Sequence, residues 1–351
     1  MHDYHTSPAS VSNVLLTIAV PTRNRAPILE RLIAHLAAET HQLSHLVQVL
    51  VSNNASSDNT TGILAHFSSY SSLTIFHHHS TLSVDKHFEF LYSKAIGSYF
   101  WLLGDDDIPR KGLVSQLISE INAYSPRTIF LDPTFTLSIE KSWSVFGTKK
   151  QSLHCLPRES FLLYTSYMLP FISSLVVQRL PILSDELPRD FQDNLTKLAQ
   201  LQWVFSSISK DGTYLVKRNA LLCTSANSGG YNPVEIFGVQ LTILMRSYFL
   251  NDQPALNHLL FFHLRIFLPE LIFHWMHSTY PPPNRLVLID NVKNIYKDSP
   301  LLRAWILAIV KSRRHAAKLF VIPIFLFKLY RKCALYLSIY KNRGNSLVVS
   351  Q

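Results

Sequence analysis

Three consecutive aspartates, Asp105, Asp106 and Asp107, have the clearest potential for chemistry in this sequence. They follow an apolar run, Trp101 to Leu103, after the single residue Gly104. Adjacent carboxylates repel one another, and placing them beside a buried segment is costly unless a cation compensates. Mg²⁺ and Mn²⁺ prefer oxygen ligands and commonly combine one or two carboxylates with phosphate oxygens and water. The triplet therefore predicts a divalent metal site, and the alternative is a solvated turn whose aspartates cap the next helix near Lys111.

Two further polar segments also follow apolar runs. The first run is Val14 to Val20, and the second is Leu46 to Val51. In an open parallel sheet, ligands bind beyond the carboxyl ends of the strands. We therefore expect the three polar segments to form one rim with hydrogen-bonding groups, two arginines and three carboxylates. The residues that follow the two runs and belong to this rim are Pro21, Thr22, Arg23, Asn24, Arg25, Asn53, Asn54 and Asp58.

Apolar runs and helical patterns alternate over the first 135 residues. The strand-like runs are continuous and rich in β-branched residues, and helical spacing follows each of them, as in Ile28 to Leu36 and Leu113 to Ala123. This alternation predicts an α/β fold: a mostly parallel, Rossmann-like sheet with helices on both faces. Further strand-like runs are Leu73 to Phe76, Thr128 to Leu131 and Leu175 to Gln178, and further helical patterns are Thr60 to Phe67, Asp85 to Ala95, Leu195 to Ser209, Ile236 to Leu250 and Ala255 to His274.

The chain organisation follows from these patterns. We predict a flexible N-terminus at 1–13, a first half of the main domain at 14–135 and a second half at 136–280. A proline run, Pro281 to Pro283, precedes a helical, basic C-terminal region at 285–351. Length and composition agree with a large folded body, because 47% of residues are hydrophobic and only 16% are charged.

The net charge of +10 is concentrated at the C-terminal end. From Pro300 to Gln351 there are ten Lys and Arg and no Asp or Glu, so the rest holds 33 − 10 = 23 basic residues against 23 acidic ones. A basic stripe across the folded body is therefore not expected, which argues against a nucleic-acid binder. Cationic residues beside the apolar run Leu319 to Phe327 suit a helix that lies on an anionic membrane surface, whereas a basic helix packed on the body is the alternative.

Cellular location is predicted from cysteine usage and hydropathy. Cys155, Cys223 and Cys333 show no paired spacing and fit a reducing compartment. The apolar run near the N-terminus is too short for a secretory signal, and no uncharged apolar stretch of about 18 residues predicts a membrane span. We expect a cytoplasmic protein, peripheral on the cytoplasmic face of the inner membrane.

Three motifs together resemble the family 2 glycosyltransferases with the GT-A fold, especially the abequosyltransferase-like members of bacterial surface-polysaccharide pathways. The motifs are IAVPTRNR at Ile18 to Arg25, VSNNASSDNT at Val51 to Thr60 and WLLGDDDIPRKG at Trp101 to Gly112. The resemblance covers Leu15 to Asp132 well and the stretch to about Phe237 more loosely. It implies a metal-dependent transfer of a sugar from a nucleotide-diphosphate donor to a hydroxyl of a lipid-linked glycan acceptor, as in O-antigen synthesis.

The resemblance also implies roles for matching residues. Pro21, Thr22 and Arg23 would line the nucleotide pocket, and Asp105 to Asp107 would bind the metal and the ribose-diphosphate. Asn53 replaces an Asp that the family places against the base, and Asp58 matches an Asp that organises its loop more than it touches donor. Gly104 replaces the first acid of the commoner D-x-D-D motif.

An inverting transferase also needs a general base near the acceptor hydroxyl. Of the carboxylates Asp185, Glu186, Asp190 and Asp193, we favour Asp193 and then Asp190; a retaining reaction needs no such base.

Phe171 to Arg179 resembles the segment that lines the acceptor side, with Ser173 and Ser174 at the pocket edge, although buried strand serines are an equal alternative. The glycine-rich turn at Asn227 to Tyr231 suggests a loop that closes over the donor, and an ordinary turn is the alternative.

Two other functions remain open at this point. A sugar-1-phosphate nucleotidyltransferase shares a nucleotide-binding sheet, but it needs a glycine-rich, basic loop after the first strand, and IAVPTRNR has no glycine. A non-catalytic membrane-surface protein that keeps the fold is the other alternative.

Overall fold

The computed structural model describes residues 13–136, 146–180, 197–224, 232–276, 285–312, 322–326, 329, 330 and 333. Over these residues the chain forms a nine-stranded sheet with helices on both faces. Six of the nine strands run in the same direction. The predicted fold class, a mostly parallel α/β sheet of the GT-A type with a helical C-terminal region, is confirmed.

Strands and helices alternate through the first part of the chain, as the hydrophobic pattern predicts. Helix α1 begins with Pro27 in its first turn, where the missing N–H of proline costs nothing. The elements are β1 Leu16–Thr22, α1 Ala26–Thr40, β2 Val47–Asn53, α2 Thr60–His66, β3 Leu73–His77, α3 Val84–Lys94, β4 Tyr99–Leu102, β5 Ile108–Pro109, α4 Leu113–Tyr124 and β6 Thr128–Thr136.

The second part adds three strands and most of the remaining helices. Two short 3₁₀ segments, Ser166–Met168 and Ile172–Ser174, precede β8. The regular elements are β7 Ser152–Leu156, α5 Arg158–Thr165, β8 Leu175–Gln178, α6 Leu201–Ile208, β9 Tyr214–Thr224, α7 Leu241–Tyr248, α8 Gln253–Phe262, α9 Leu268–Met276, α10 Arg285–Ile295 and α11 Pro300–Lys311.

The strand order is β3-β2-β1-β4-β8-β6-β9-β5, and β7 also pairs with β9. β1, β2, β3 and β4 are parallel, so their carboxyl ends meet at one edge, which we call the carboxyl rim. β6 and β9 reach the same rim beyond the antiparallel β8. The sheet thus takes strands from both predicted halves of the domain, whose division at residue 135 stays a prediction.

Two apolar layers fix the sheet between its helices. On one face, α1 and α4 cover buried side chains such as Ile18, Trp101 and Leu131. On the other face, α3 and the helices of the second part cover Phe100, Phe130 and Val177. Strands β1, β2 and β4 are therefore buried on both sides, which explains their continuous apolar sequences.

Some elements differ from the predictions. The patterns at Ile236 to Leu250 and Ala255 to His274 are helical, but π-helical turns occupy Glu235–Gln240 and His263–Phe267. The described part of the helix predicted from Leu195 is Leu201–Ile208. Strands β5, β7 and β9 were not predicted, because β5 has two residues and the other two contain polar or charged side chains in mid-strand.

The described part of the C-terminal region packs on the body. Ile306, Ile309 and Val310 of α11 are buried against α9 and α10. One helical run among the described residues, Gln253–Met276, has the length and composition to cross a membrane, and 50% of its most apolar window is buried inside the protein. That run contains Arg265 and Glu270, so it is not an uncharged apolar stretch.

Candidate functional site

The carboxyl rim brings Asp105 next to the end of β1. Thr22, 3% exposed, donates a hydrogen bond from its hydroxyl to Asp105 Oδ2 at 2.8 Å. Burial raises the pKa of Asp105 to about 6, and the nearby Asp106 adds to this, while Thr22 and Arg25 oppose it. A proton or a cation therefore stabilises this carboxyl group, because its charge is only partly compensated within the chain.

Asp106, like Asp105, is partly exposed. Its Oδ2 lies 3.7 Å from Arg25 Nη1, and the two side chains are 26% and 29% exposed. The pair spans the gap between the loop after β1 and the loop after β4. It places one partly exposed cation and one partly exposed anion side by side at the rim.

Asp107 points into the protein instead. It is 3% exposed and accepts a hydrogen bond of 2.5 Å from the Ser173 hydroxyl. The buried Cys223 thiol also bonds to Asp107; burial in the first place, and then this carboxyl group, raise the pKa of Cys223 well above its ordinary value. Asp107 is thus held from the β8 and β9 side of the rim.

Ser173 is the centre of the contacts that hold the acidic loop. Its Oγ accepts a hydrogen bond from Gly104 N at 2.9 Å, and its carbonyl accepts one from Trp101 Nε1 at 2.8 Å. The side chain is completely buried. In the structure Ser173 therefore fixes the shape of the loop after β4, a contact that its predicted place at an acceptor pocket did not anticipate.

Close contacts around position 104 explain why this residue is a glycine. A Cβ built there would stand 3.2 Å from Asp107 Oδ2 and 3.3 Å from both Asp106 Oδ1 and Ser173 Oγ. A larger side chain, including the Asp of the commoner motif, would press on these oxygens. Gly104 thus leaves these three oxygens in place.

The loops after β1 and β2 are joined by Asn24. Its backbone N–H donates to Ser56 Oγ at 2.9 Å, and its Oδ1 accepts from Ser57 N at 2.7 Å. Asn24 has φ 54°, a left-handed conformation that asparagine tolerates better than most residues. Its neighbour Arg23 is exposed, while Pro21 is half-buried.

Asp58 organises the same region. It accepts hydrogen bonds from Ala26 N at 3.0 Å and from Thr60 N at 3.0 Å, at the starts of α1 and α2. Slight burial raises its pKa, but the bonds from Thr60 and Ala26 outweigh this, so the pKa lies below its ordinary value. Asp58 thus joins the loops that precede α1 and α2, and its predicted loop-organising role stays a prediction.

Asn53 and Asn54 are buried and bonded within the chain. The Asn53 amide donates to Thr61 Oγ1 at 3.1 Å and contacts His77 Nδ1 at 3.3 Å, while its Oδ1 accepts from Ser56 N. Asn54 exchanges two hydrogen bonds with the backbone of Leu82. Contact between Asn53 and a nucleotide base would thus require some of these partners to be exchanged.

Other predicted residues are placed as follows. Ser174 is completely buried, and its hydroxyl has no hydrogen-bond partner within the described ranges. Asp185, Glu186, Asp190, Asp193 and the turn at 227–231 lie outside the described residues. The segment after 181–196 is anchored by Asp85, which accepts bonds from Lys197 N at 2.7 Å and Ala199 N at 3.0 Å.

Sequence reasoning missed Asp85 and Cys223 as parts of this architecture. Asp85 is 4% exposed although it lies in the first turn of α3. A buried acid at a helix start indicates a specific partner, yet nothing in the local sequence identifies residues 112 positions later. Cys223 lies in a strand that the hydrophobic pattern did not show.

The acidic loop fits a hard divalent cation that takes part of its ligands from elsewhere. Across the described ranges, no group of three or more His, Cys, Asp or Glu side chains is arranged to hold a metal ion. Asp107 is buried and bound by Ser173, whereas Asp105 and Asp106 are partly exposed and contact Thr22 and Arg25 at the rim. Two carboxylates complemented by phosphate oxygens and water are a common Mg²⁺ arrangement.

Comparison with known proteins gives a family match and similar solved structures. Residues 17–143 match the family model described as "Glycosyl transferase family 2". No curated protein sequence matches the chain. Among solved structures, S. aureus TarS 1–349 is similar with a TM-score of 0.54 and 13% identity, over 90% of this chain and 92% of that one.

Two complexes of the same S. aureus protein are similar to the same degree. The complex with UDP has a TM-score of 0.53 at 13% identity and covers 89% of both chains. The complex with UDP-GlcNAc has a TM-score of 0.52 at 13% identity and covers 90% of this chain and 92% of that one. At this identity the likeness shows the fold. Residues 17–143 are thus similar to glycosyl transferase family 2, and the chain shares its fold, of the GT-A class, with these structures.

Proposed function

We propose that this protein transfers a sugar from a nucleotide-diphosphate donor to a hydroxyl group of a glycan acceptor. One observation carries the proposal: the loops after β1 and β4 meet so that Thr22 bonds to Asp105 and Arg25 pairs with Asp106 at one edge of the sheet. Such a rim offers both cationic and anionic groups at the place where α/β sheets bind nucleotides. The family 2 match of residues 17–143 supports the same reaction class.

In this proposal, the residues of the rim have different roles. Thr22 holds Asp105, and Ser173 holds Asp107, so the acidic loop is fixed before a donor arrives. Asp105 and Asp106 would hold Mn²⁺ or Mg²⁺, which neutralises negative charge on the departing diphosphate. Arg25 would lie beside the same phosphates. Pro21, Arg23 and Asn53 stay predicted contacts of the nucleotide, and Asp193 and Asp190 stay predicted bases.

The donor class has support from a structural neighbour. S. aureus TarS has been crystallised with UDP and with UDP-GlcNAc. We infer that this chain also binds a nucleoside diphosphate linked to a sugar, without preferring a base. A lipid-linked oligosaccharide of surface polysaccharide or O-antigen synthesis is the acceptor that the motif resemblance suggests.

Metal-dependent nucleotide binding tests the proposal directly. The melting temperature of the full chain would be measured with UDP, GDP, CDP and dTDP, each with and without Mn²⁺. We expect at least one nucleotide to raise it by several degrees only when the metal is present, since ligand binding stabilises the folded state. No increase with any of the four nucleotides would contradict the proposal.

Asp106→Asn is the most informative variant, because Asp106 is accessible and its substitution leaves the Ser173 contacts of Asp107 in place. We expect the Mn²⁺-dependent stabilisation to disappear while the melting temperature of the free protein stays near that of wild type. Asp290→Asn, at an exposed acid that pairs with Lys293 on α10, is the matched control. Equal nucleotide binding by wild type and Asp106→Asn would show that this acid does not serve the metal.

Transfer itself would be measured with a donor screen. Nucleotide sugars carrying the same four bases would be incubated with membrane extracts that contain lipid-linked oligosaccharide, and incorporation of labelled sugar would be followed. Incorporation that depends on the wild-type chain and is lost in Asp106→Asn supports the proposed reaction. Nucleotide binding without any incorporation would favour a non-catalytic protein that keeps the fold.

We further propose that the C-terminal region binds the cytoplasmic face of the membrane. Several large apolar side chains there are exposed, including Leu301 at 87% and Phe325 at 67%, and the last 52 residues from Pro300 carry only basic charges. Exposed apolar groups beside cationic charge favour an anionic lipid surface. This placement would bring the rim to a lipid-linked acceptor.

Liposome flotation tests this proposal on the full chain, because removal of α11 would expose the packed Ile306, Ile309 and Val310. Leu301→Ser with Phe325→Ser should reduce flotation with anionic vesicles. Leu250→Ser, at a 64% exposed leucine outside this region, is the control. Equal flotation of all three proteins would overturn membrane binding through these side chains.

A further inference from the structure

Phe135 is a large apolar side chain that the fold leaves open at the carboxyl rim. It lies near the end of β6 and is 49% exposed, whereas Ile129, Phe130 and Leu131 earlier in the strand are buried. The register with β9 shifts between Leu131 and Pro133, so the end of β6 is offset from its beginning. An exposed ring alone is common on protein surfaces, and its position decides what it can bind.

One set of contacts places Phe135 beside the acidic loop through β9. Phe135 pairs with Cys223 on that strand, and paired residues of neighbouring strands face the same side of a sheet. The Cys223 thiol bonds to Asp107. Adjacent strands are about 4.8 Å apart, so the base of the Phe135 side chain lies within about 10 Å of the Asp107 carboxyl group.

A second, independent set of contacts leads to the same place. The Phe135 ring packs against Phe171, with centroids 5.4 Å apart and an interplanar angle of 61°. Phe171 is two residues before Ser173, which donates its hydrogen bond to Asp107. The edge-to-face contact fixes the orientation of the Phe135 ring while one part of it stays open to solvent.

The position along the sheet separates Phe135 from the nucleotide loops. Thr22 and Arg25 approach the acidic loop from β1, on one side of β4. Phe135 and Cys223 approach it from β6 and β9, on the other side. If the acidic loop holds a diphosphate, Phe135 borders that loop on the side away from Thr22 and Arg25, and the sugar ring that the proposed function requires would lie on this side.

We propose that Phe135, supported by Phe171, forms a stacking surface for a pyranose ring at the site of transfer. The inference rests on the proposed function. The C–H bonds on one face of a pyranose carry partial positive charge and match the negative face of an aromatic ring, while the hydroxyl groups point sideways to polar partners. The ring belongs either to the sugar of the donor or to the terminal sugar of the acceptor.

The test compares side chains that differ in shape at this position. Phe135→Leu keeps an apolar group without a flat face, and Phe135→Trp keeps a flat aromatic face. Tyr70→Leu is the matched control, because Tyr70 is a 38% exposed ring next to Phe67, before β3 and thus near the opposite edge of the sheet. Each full-length variant would be assayed with the donor that gives the highest rate in the screen and with the same membrane extract.

Phe135→Leu should raise KM for one sugar-bearing substrate by about tenfold, as the loss of one good apolar contact does. Phe135→Trp and Tyr70→Leu should stay within about twofold of wild type, and the Kd of the free nucleoside diphosphate with Mn²⁺ should be unchanged in every variant. A raised KM for the acceptor assigns the stack to the acceptor sugar, and a raised KM for the nucleotide sugar assigns it to the donor sugar.

Two results would overturn the inference, and they are distinguishable. If wild type binds nucleotide and transfers sugar but Phe135→Leu matches it in both KM values, or Phe135→Trp is as impaired as Phe135→Leu, the stacking surface is wrong and the proposed function stands. If wild type neither binds nucleotide with Mn²⁺ nor transfers sugar, the proposed function is wrong and the stacking surface falls with it.

Discussion

Replacing Ser173 by alanine removes one oxygen atom from the centre of the acidic loop. The Ser173 hydroxyl donates to Asp107 at 2.5 Å and accepts from Gly104 N at 2.9 Å. Both bonds are buried, so water does not replace them readily. Ser173→Ala should therefore destabilise the protein and loosen the loop that carries Asp105 and Asp106.

The size of the effect follows from these two bonds. A buried hydrogen bond to a carboxyl group and a buried N–H that loses its acceptor are each worth about 1 to 3 kcal/mol. Alanine fits the same space, so no large cavity forms and relaxation recovers part of the loss. We expect Ser173→Ala to lower the free energy of unfolding by about 3 kcal/mol.

Ser174 provides a control of the same residue type in the same 3₁₀ segment. It is as deeply buried as Ser173, but within the described part of the chain its hydroxyl has no hydrogen-bond partner. Since the folded state gains nothing from that buried hydroxyl, Ser174→Ala should leave stability unchanged or raise it by up to about 1 kcal/mol.

Urea unfolding followed by tryptophan fluorescence would measure both variants, and nucleotide titration with Mn²⁺ would show the effect on the rim. The reasoning predicts a large loss for Ser173→Ala, no loss for Ser174→Ala and weaker metal-dependent nucleotide binding in the first variant only. A loss below about 1 kcal/mol for Ser173→Ala, or equal losses in both variants, would refute the role of the two hydrogen bonds.

Further predictions concern acid sensitivity, a buried ion pair and loop packing. Burial and the neighbouring His78 lower the pKa of His87 to about 4, so the free energy of unfolding falls as pH falls from 6.5 towards 4. Between about pH 8 and pH 5, wild type should lose about 2 kcal/mol more than His87→Gln, as measured by urea unfolding. Glu120→Leu leaves the buried Lys217 without its partner and should lower the free energy of unfolding by about 3 to 5 kcal/mol. Adding Lys217→Met should restore most of this stability. An equally unstable double variant would exclude the buried charge as the cause. Gly104→Ala should weaken Mn²⁺-dependent nucleotide binding by about fivefold or more, because its Cβ presses on the carboxyl oxygens, and unchanged affinity in a titration would contradict this.

The sequence predicted the parallel part of the sheet well. β1, β2 and β4 are continuous apolar runs, since α1, α3 and α4 cover both faces of these strands. Burial on both faces leaves a strong local signal that requires no knowledge of the partner strands. The prediction that Thr22 and Asp105 approach each other followed from the same rule, and the 2.8 Å bond between them agrees with it.

The second half of the chain was harder to predict. Strand β9 contains Lys217, Arg218 and Asn219, which interrupt any apolar pattern. Lys217 is nevertheless 5% exposed, because Glu120 from α4 pairs with it. A buried charge is acceptable only with such a partner, and the partner is 97 residues away.

The sequence by itself determined the α/β class, the order of the first strands and which polar segments follow them. Hydrophobic periodicity and the turn residues that separate the elements are local properties of a sequence. Tertiary structure alone decided how the three aspartates differ. Asp107 is turned inward by Ser173 and Cys223, while Asp105 and Asp106 face Thr22 and Arg25. These contacts join residues far apart in the chain, and only the packing of β8 and β9 against β4 and β6 brings them together.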